Sequence, residues 1–231
     1  ANYLALAGVL HRNGRHAPDY FDPPVADCTG GLFAVIAILA ALRACARDGR
    51  GCEIDLALAD AVAPLQNFHI ADYGARGYSP APNETYLNGG AAYYRVYATQ
   101  DGRHVALGAA DARFWQRFCA AAGRPDWTTR FADALPQHPL IAELEALFAH
   151  LTLAQCVERF GAADCCLTPV LTLAEALESA HCRDRELVRR GPGGDLQALF
   201  PAWIDGKPPS ARPPLRLTTG GFENPAAAND D

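Results

Sequence analysis

Methionine is absent from all 231 residues, position 1 included, and Ala1-Asn2-Tyr3 opens straight into an apolar helical pattern with no cap or leader before it. The expectation is a chain whose natural N-terminus lies further upstream, so that part of any active site falls outside it. Lysine is nearly absent as well: Lys207 is the single one, and the arginines are scattered among 26 acids for a net charge of −6. No basic stripe is left to neutralise phosphates, which excludes a nucleic-acid-binding chain. Long hydrophobic runs are missing. The longest, Leu32 to Leu42, stops at Arg43 and is too short to cross a bilayer, so no membrane span is expected. No Cys-x-x-Cys pair occurs and His181-Cys182 stands without a second ligand pair, so no metal is expected. A Gly-x-Ser-x-Gly elbow, a Walker loop and a His-Glu-x-x-His pair are all lacking, and the histidines do not cluster. A hydrolase triad cannot be assembled, and any chemistry must rest on carboxylates.

What is present describes a globular chain. Half of the residues are hydrophobic and 20% are charged, enough for a large core and the wrong balance for disorder. Of eight cysteines, Cys45, Cys119 and Cys156 fall on apolar stripes of expected helices, and Cys165-Cys166 is an adjacent pair in a strand-like run. Reduced, buried thiols of a cytosolic protein account for them better than a disulfide framework.

The pattern along the chain alternates helix and strand. A first helix is expected over about Asn2 to Leu10, followed by a loop through Gly14, Pro18, Pro23 and Pro24 that ends at Gly30-Gly31. Leu32 to Asp48 should be a helix buried on most sides, stopped by Gly49 and Gly51. Cys52 to Leu58 reads as a strand, and Asp60 as the cap of a helix reaching about Tyr73. That rhythm belongs to an α/β domain with a parallel sheet. Gly74 to Pro82 has linker composition, and a second unit starts near Asn88-Gly89-Gly90. There Tyr93–Ala98 and His104–Ala109 should pair as a hairpin about Asp101-Gly102, with helices at about 111–122, 139–150 and 153–161. A strand is expected over Cys166 to Leu171, a capping box at Thr172 with Glu175, and an extended segment over Pro208 to Pro214.

Asp27 is the foremost candidate residue. It sits between the proline-rich loop and Gly30-Gly31, where free amides and the positive end of a helix dipole favour an anion. A plain N-cap is the alternative, against which the two glycines suggest a ligand approaching closely. Gly89-Gly90 reads either as a bulge or as a loop covering a substrate, Asp111 as the cap of the next helix or as a catalytic carboxylate, and His69 as a core histidine.

Several blocks carry a resemblance. Asn2-Tyr3-Leu4-Ala5-Leu6-Ala7-Gly8-Val9-Leu10, the Gly14-Arg15 turn, Pro23-Pro24-Val25-Ala26-Asp27-Cys28-Thr29-Gly30-Gly31, Gly49-Arg50-Gly51-Cys52-Glu53-Ile54-Asp55, Leu87-Asn88-Gly89-Gly90-Ala91-Ala92-Tyr93-Tyr94, Asp101-Gly102-Arg103-His104-Val105-Ala106-Leu107-Gly108-Ala109 and Cys165-Cys166-Leu167-Thr168-Pro169-Val170-Leu171 follow one another in order over about 170 residues. Together they resemble the class III CoA-transferase family, the CaiB/BaiF type, and within it the α-methylacyl-CoA racemase branch.

The resemblance implies an α/β fold: part of a Rossmann-like large domain plus a smaller α+β domain, in chains that form interlocked homodimers. On this chain it corresponds to large-domain sequence over 1–73, a linker over 74–87, the small domain over 88–182 and a return segment over 183–231. It further implies a cytoplasmic enzyme that acts on acyl-CoA thioesters and carboxylic acids, with coenzyme A as part of the substrate and neither cofactor nor metal. Asp27 matches the catalytic aspartate, a covalent nucleophile in transferases and one of two acid/base groups in racemases. Gly89 and Gly90 match the loop over the acyl end, and Tyr3 lies in the block near the substrate. Asp111 stands where racemases carry a supporting Glu, and its shorter side chain departs from that pattern. The racemase's partner His would precede Ala1. CoA transfer between carboxylic acids through Asp27 is the leading expectation, with 2-methylacyl-CoA racemisation as the alternative. A non-catalytic chain that only pairs with an intact partner is the reading from a different class.

Overall fold

The long helix governs the first part of the molecule, and two consecutive prolines decide where it starts. In the computed structural model, which describes residues 1–15, 17–19, 21–213, 216–218 and 221–223, α1 spans Asn2–Leu6 and α2 spans Val25–Asp48. Pro24 holds φ at −73° immediately before α2, a geometry that leads into a helix. Helix therefore begins seven residues before Leu32, and 25–31, expected to finish the loop, form its first two turns. Gly49 ends it as anticipated, turning left-handed at φ +72°.

Two expectations for this region do not hold. First, α2 is not buried on most sides: Leu32, Val35, Ile36, Ile38, Leu39 and Leu42 are each between 49% and 64% exposed. Second, the exclusion of a bilayer-spanning element rested on the shorter Leu32–Leu42 run. The whole 24-residue helix is long and apolar enough to cross a membrane, because small residues extend it upstream with Asp27 as the one charge there. A core helix of a soluble protein has the same length and composition.

The expected strand at 52–58 carries no regular structure over 51–57 and has no neighbouring strand among the described residues. A strand exists only through its pairing, and every pairing described is antiparallel. The following helix breaks into α3, Leu58–Val62, a 3-10 turn at Ala63–Gln66 containing Pro64, and α4, Asn67–Arg76. Ala57, not Asp60, occupies its N-cap. The first helix is likewise shorter than its pattern, with a separate 3-10 turn at Leu10–Arg12.

The chain divides into two compact units, Ala1–Val170 and Leu171–Asp231. Within the first, β1 (Tyr94–Ala98) and β2 (His104–Gly108) form the anticipated hairpin, Tyr94 opposite Gly108, and β3 (Leu167–Pro169) pairs with β2. One sheet face, through Tyr97, Val105 and Leu107, closes on α5 (Ala112–Ala121), α6 (His138–Ala149) and α7 (Leu153–Phe160). Trp115, Phe118, Trp127, Phe148 and Phe160 fill that core, with Phe118 stacked 5.3 Å from both Trp115 and Phe160. Trp115 Nε1 donates to the Trp127 carbonyl at 3.0 Å, so the largest side chains bury no unpaired polar atom.

All eight cysteines are free. Cys119, Cys156 and Cys165 are buried, whereas Cys45 is only half-buried and Cys28, Cys52 and Cys166 are exposed. Burial pushes the Cys119 thiol up to about 11, which leaves it an inert apolar group.

In the second unit the capping box at Thr172 opens α8 (Leu173–Leu177), with Glu175 accepting from the Thr172 amide at 2.8 Å. α9 covers Ala180–Asp184. The short hairpins β4–β5 (Val188–Arg190, Leu196–Ala198) and β6–β7 (Arg216–Thr218, Gly221–Glu223) follow. Residues 208–213 hold no regular element, and the remainder of the extended segment expected there, Pro214, lies outside the described residues.

Glu143 on α6 is held down to about 2 by hydrogen bonds from Trp127 Nε1 at 2.8 Å and from Arg130 and Arg124. Its folded value lies below the ordinary carboxylate value. The stability it contributes is therefore complete above about 4.5 and is lost as pH falls towards about 2. Glu143→Gln should flatten that acid limb in urea unfolding of the whole protein followed by tryptophan fluorescence. An unchanged dependence between those pH values would contradict this role.

Candidate active site

Asp27 reaches its position through local packing. Leu4 of α1, Ala26 of α2 and Val62 of α3 form one small buried cluster, which fixes the start of α2 against its neighbours. Tyr3 and Asp27 each lie one residue from that cluster, so the fold brings these two sequence candidates to the same end of α2.

Asp27 is not the N-cap. Pro24 holds that place, and Asp27 is the third helical residue, with an exposed carboxylate. Among the described residues it has neither a side-chain hydrogen bond nor an ion pair. The amides of the first turn and the helix dipole still favour its negative charge. Gly30 serves a different purpose from the expected close approach of a ligand. A Cβ there would lie 2.3 Å from Leu58 Cδ2, so the glycine lets α3 pack against α2, while Gly31 faces open space.

The glycine loop is built rigidly. Gly89 is left-handed at φ +99°, and a Cβ on Gly90 would sit 2.7 Å from the Glu84 backbone. Buried Gln137 anchors the loop: its backbone N–H donates to the Gly90 carbonyl at 2.9 Å, and its side-chain Oε1 accepts from the Ala92 backbone N–H at 3.0 Å. Sequence reasoning missed Gln137, since a lone glutamine before His138-Pro139 signals nothing about a partner 47 residues away.

Asp111 caps α5, accepting from the Arg113 amide at 2.8 Å and pairing with Arg113 Nη2 at 3.0 Å. Those contacts hold its carboxyl below the usual range. Tyr3 is 46% exposed.

A cleft of about 700 Å³ lies between residues 9–15 and the sheet. Of the sequence candidates only Gly89 lines it; Asp27, Asp111, Gly90 and Tyr3 do not. His69, read as a core histidine, is half-buried and lines this cleft instead. Burial and the nearby Arg12 guanidinium hold its imidazole below the usual value, against the opposing pull of Asp72. Arg12 and Arg95, which also line the cleft, were not singled out, because isolated arginines carry no motif. Among the described residues no three His, Cys, Asp or Glu side chains converge as metal ligands would.

The sequence and fold agree on a class. The model of CoA-transferase family III matches residues 1–215, and the chain belongs to that family. Relatives include α-methylacyl-CoA racemase of Mus musculus, 32% identical over 201 residues covering 80% of this chain and 49% of that protein. Succinyl-CoA:mesaconate CoA-transferase of Haloarcula marismortui is 29% identical over 208 residues, 84% of this chain and 50% of that protein. Among solved structures, a CaiB/BaiF family protein from Brucella suis superposes with a TM-score of 0.70 at 22% identity, covering 89% of this chain and 56% of that one. The chain thus spans about half the length of the curated relatives it matches.

Proposed function

We propose that this chain supplies the reacting carboxylate, Asp27, of an enzyme that transfers coenzyme A between carboxylic acids. The observation that carries the reading is the Asp27 carboxylate itself, exposed and unpaired in the first turn of α2 within a chain of CoA-transferase family III. A carboxylate paired with an arginine, as Asp111 is, would be a poorer nucleophile. Asp27 keeps its lone pairs available.

In the transfer, an Asp27 oxygen attacks the thioester carbonyl, CoA leaves as a thiolate, and a mixed anhydride forms on Asp27. The thiolate then attacks the aspartyl carbonyl, releasing the first acid and leaving an aspartyl-CoA thioester. The acceptor carboxylate attacks that thioester, expelling CoA thiolate and forming a second mixed anhydride, and the thiolate then attacks the acceptor's acyl carbon, giving the new acyl-CoA and releasing the Asp27 carboxylate. Gly89 and Gly90 would cover the acyl end, with Tyr3 and Asp111 as supporting positions and a second copy of the chain as partner.

Racemisation is a second reading, supported by the mouse racemase at 32% identity, although a CoA-transferase family protein of Caenorhabditis elegans matches at 31%, level with the human racemase. There Asp27 would remove or return the α-proton through an enolate. Incubating the whole protein with a 2-methylacyl-CoA in deuterated water separates the two. Transfer predicts new thioester only when an acceptor acid is added and no deuterium at the α-carbon. Deuterium uptake without an acceptor would replace transfer by racemisation.

A further inference from the structure

Strand β1 carries a charge where its alternation calls for an apolar residue. Arg95 lies opposite Leu107, as Tyr97 lies opposite Val105, so it shares the sheet face that closes on the core. Its side chain is 16% exposed. A desolvated guanidinium is costly unless its donors are used, and a leucine at this place would be buried without that cost. The pairing is incomplete. Exposed Glu145 stands 3.8 Å away, and the buried Nε has no hydrogen bond among the described residues.

What Arg95 does hold is the glycine loop. Its Nη1 donates to the Gly89 carbonyl and, at 3.1 Å, to Asn83 Oδ1. Asn83 is itself left-handed at φ +62°, and its backbone N–H donates to the Asn88 carbonyl at 3.1 Å. Asn88 closes the turn from within: its Oδ1 accepts from the Thr85 backbone N–H and its Nδ2 donates to the Ala81 carbonyl, both at 2.8 Å. There is no slack around Gly89, where a Cβ would lie 2.5 Å from Asn83 Oδ1 and 3.3 Å from Arg95 Nη1. With Gln137 donating to the Gly90 carbonyl, both glycine carbonyls are held, one from β1 and one from the N-cap of α6. The stretch 81–90, part of a linker by composition, is a braced turn.

We propose that Arg95 is a positioning residue: with Asn83 it clamps the Gly89-Gly90 loop in the shape that receives the acyl end of the thioester. The proposal rests on the reading that this loop covers that end, and it needs no contact between Arg95 and the substrate. Lysine cannot take its place, because an ammonium on a flexible stem lacks the fixed fork of donors.

Two variants break the clamp in different ways. Arg95→Lys keeps the charge, and Asn83→Gly keeps the left-handed backbone while removing the side-chain amide. In the whole protein, hydrogen exchange at 89–92 is expected to rise about tenfold in both, the scale of one lost hydrogen bond to a charged group, with exchange across α5 unchanged. The KM for a 2-methylacyl-CoA should also rise about tenfold, with kcat within about twofold of wild type, the split expected when binding and not chemistry is lost. Should Arg95→Lys fail to fold, Asn83→Gly carries the same two readouts. Wild-type exchange at 89–92 would overturn the clamp. Faster exchange with an unchanged KM, or a fall in kcat alone, would overturn its role towards the acyl end. If Asp27→Asn stays active while the clamp variants raise KM, the Asp27 reading falls and Arg95 keeps its role. The reverse pattern removes Arg95 and leaves Asp27 in place.

Discussion

Expressed by itself, the 231-residue chain is expected to aggregate, or to yield a protease-resistant core confined to about 88–177, and to have no acyl-CoA activity. The reason is α2. Six large aliphatic side chains between Leu32 and Leu42 are about half exposed or more. Burying each would contribute about 1.5–3 kcal/mol, against a net stability of about 5–15 kcal/mol for a typical domain. A contiguous apolar face of that kind requires a cover, and the described residues provide only the cluster around Leu4, Ala26 and Val62 at one end. The part built on Trp115, Phe118 and Phe148 has no such deficit, since its largest side chains are fully buried. Size-exclusion chromatography with limited proteolysis reads the outcome. A soluble monomer with one cooperative melt and hydrogen-exchange protection across 31–58 would contradict it.

The second large effect concerns Asp27→Asn in the whole protein. The substitution keeps the shape of the side chain and removes its charge and nucleophilic oxygen. Turnover should fall by at least about a hundredfold, the scale of losing a positioned nucleophile or acid/base group. Because the carboxylate is exposed and unpaired, its loss breaks no described contact, and the circular dichroism and melting temperature should stay close to wild type. Low turnover with an unchanged fold separates a chemical role from a structural one. More than about a tenth of wild-type turnover would remove Asp27 from the mechanism.

Local signals in the sequence carried through to the structure where one short segment decides the outcome. Asp101-Gly102 sets the hairpin, with Gly102 left-handed at φ +72°. Asp111 caps α5 through its own side chain, and Thr172 with Glu175 forms the capping box. Signals that depend on distant partners did not. Cys52–Leu58 alternates as a strand does, yet nothing pairs with it among the described residues. The apolar run of α2 implies burial, but hydrophobicity states only that a cover is favourable, not where it comes from. Pro23-Pro24 carry a loop signal in the sequence, although proline directly before a helix fixes the backbone for it. At the site, Asp27 was legible from its flanking prolines and glycines and from the family blocks. The arginine cleft was not. Arg12 and Arg95 are 83 positions apart and meet only through the fold, so no spacing rule could join them.

Mass spectrometry of the peptide containing Asp27, after the whole protein has turned over an acyl-CoA in the presence of hydroxylamine, tests CoA transfer through this residue most directly. An aspartyl anhydride or thioester would be captured as a hydroxamate on Asp27, appearing only with acyl-CoA and absent from Asp27→Asn. Continued turnover with an unmodified Asp27 peptide, or a hydroxamate on another carboxylate, would contradict it.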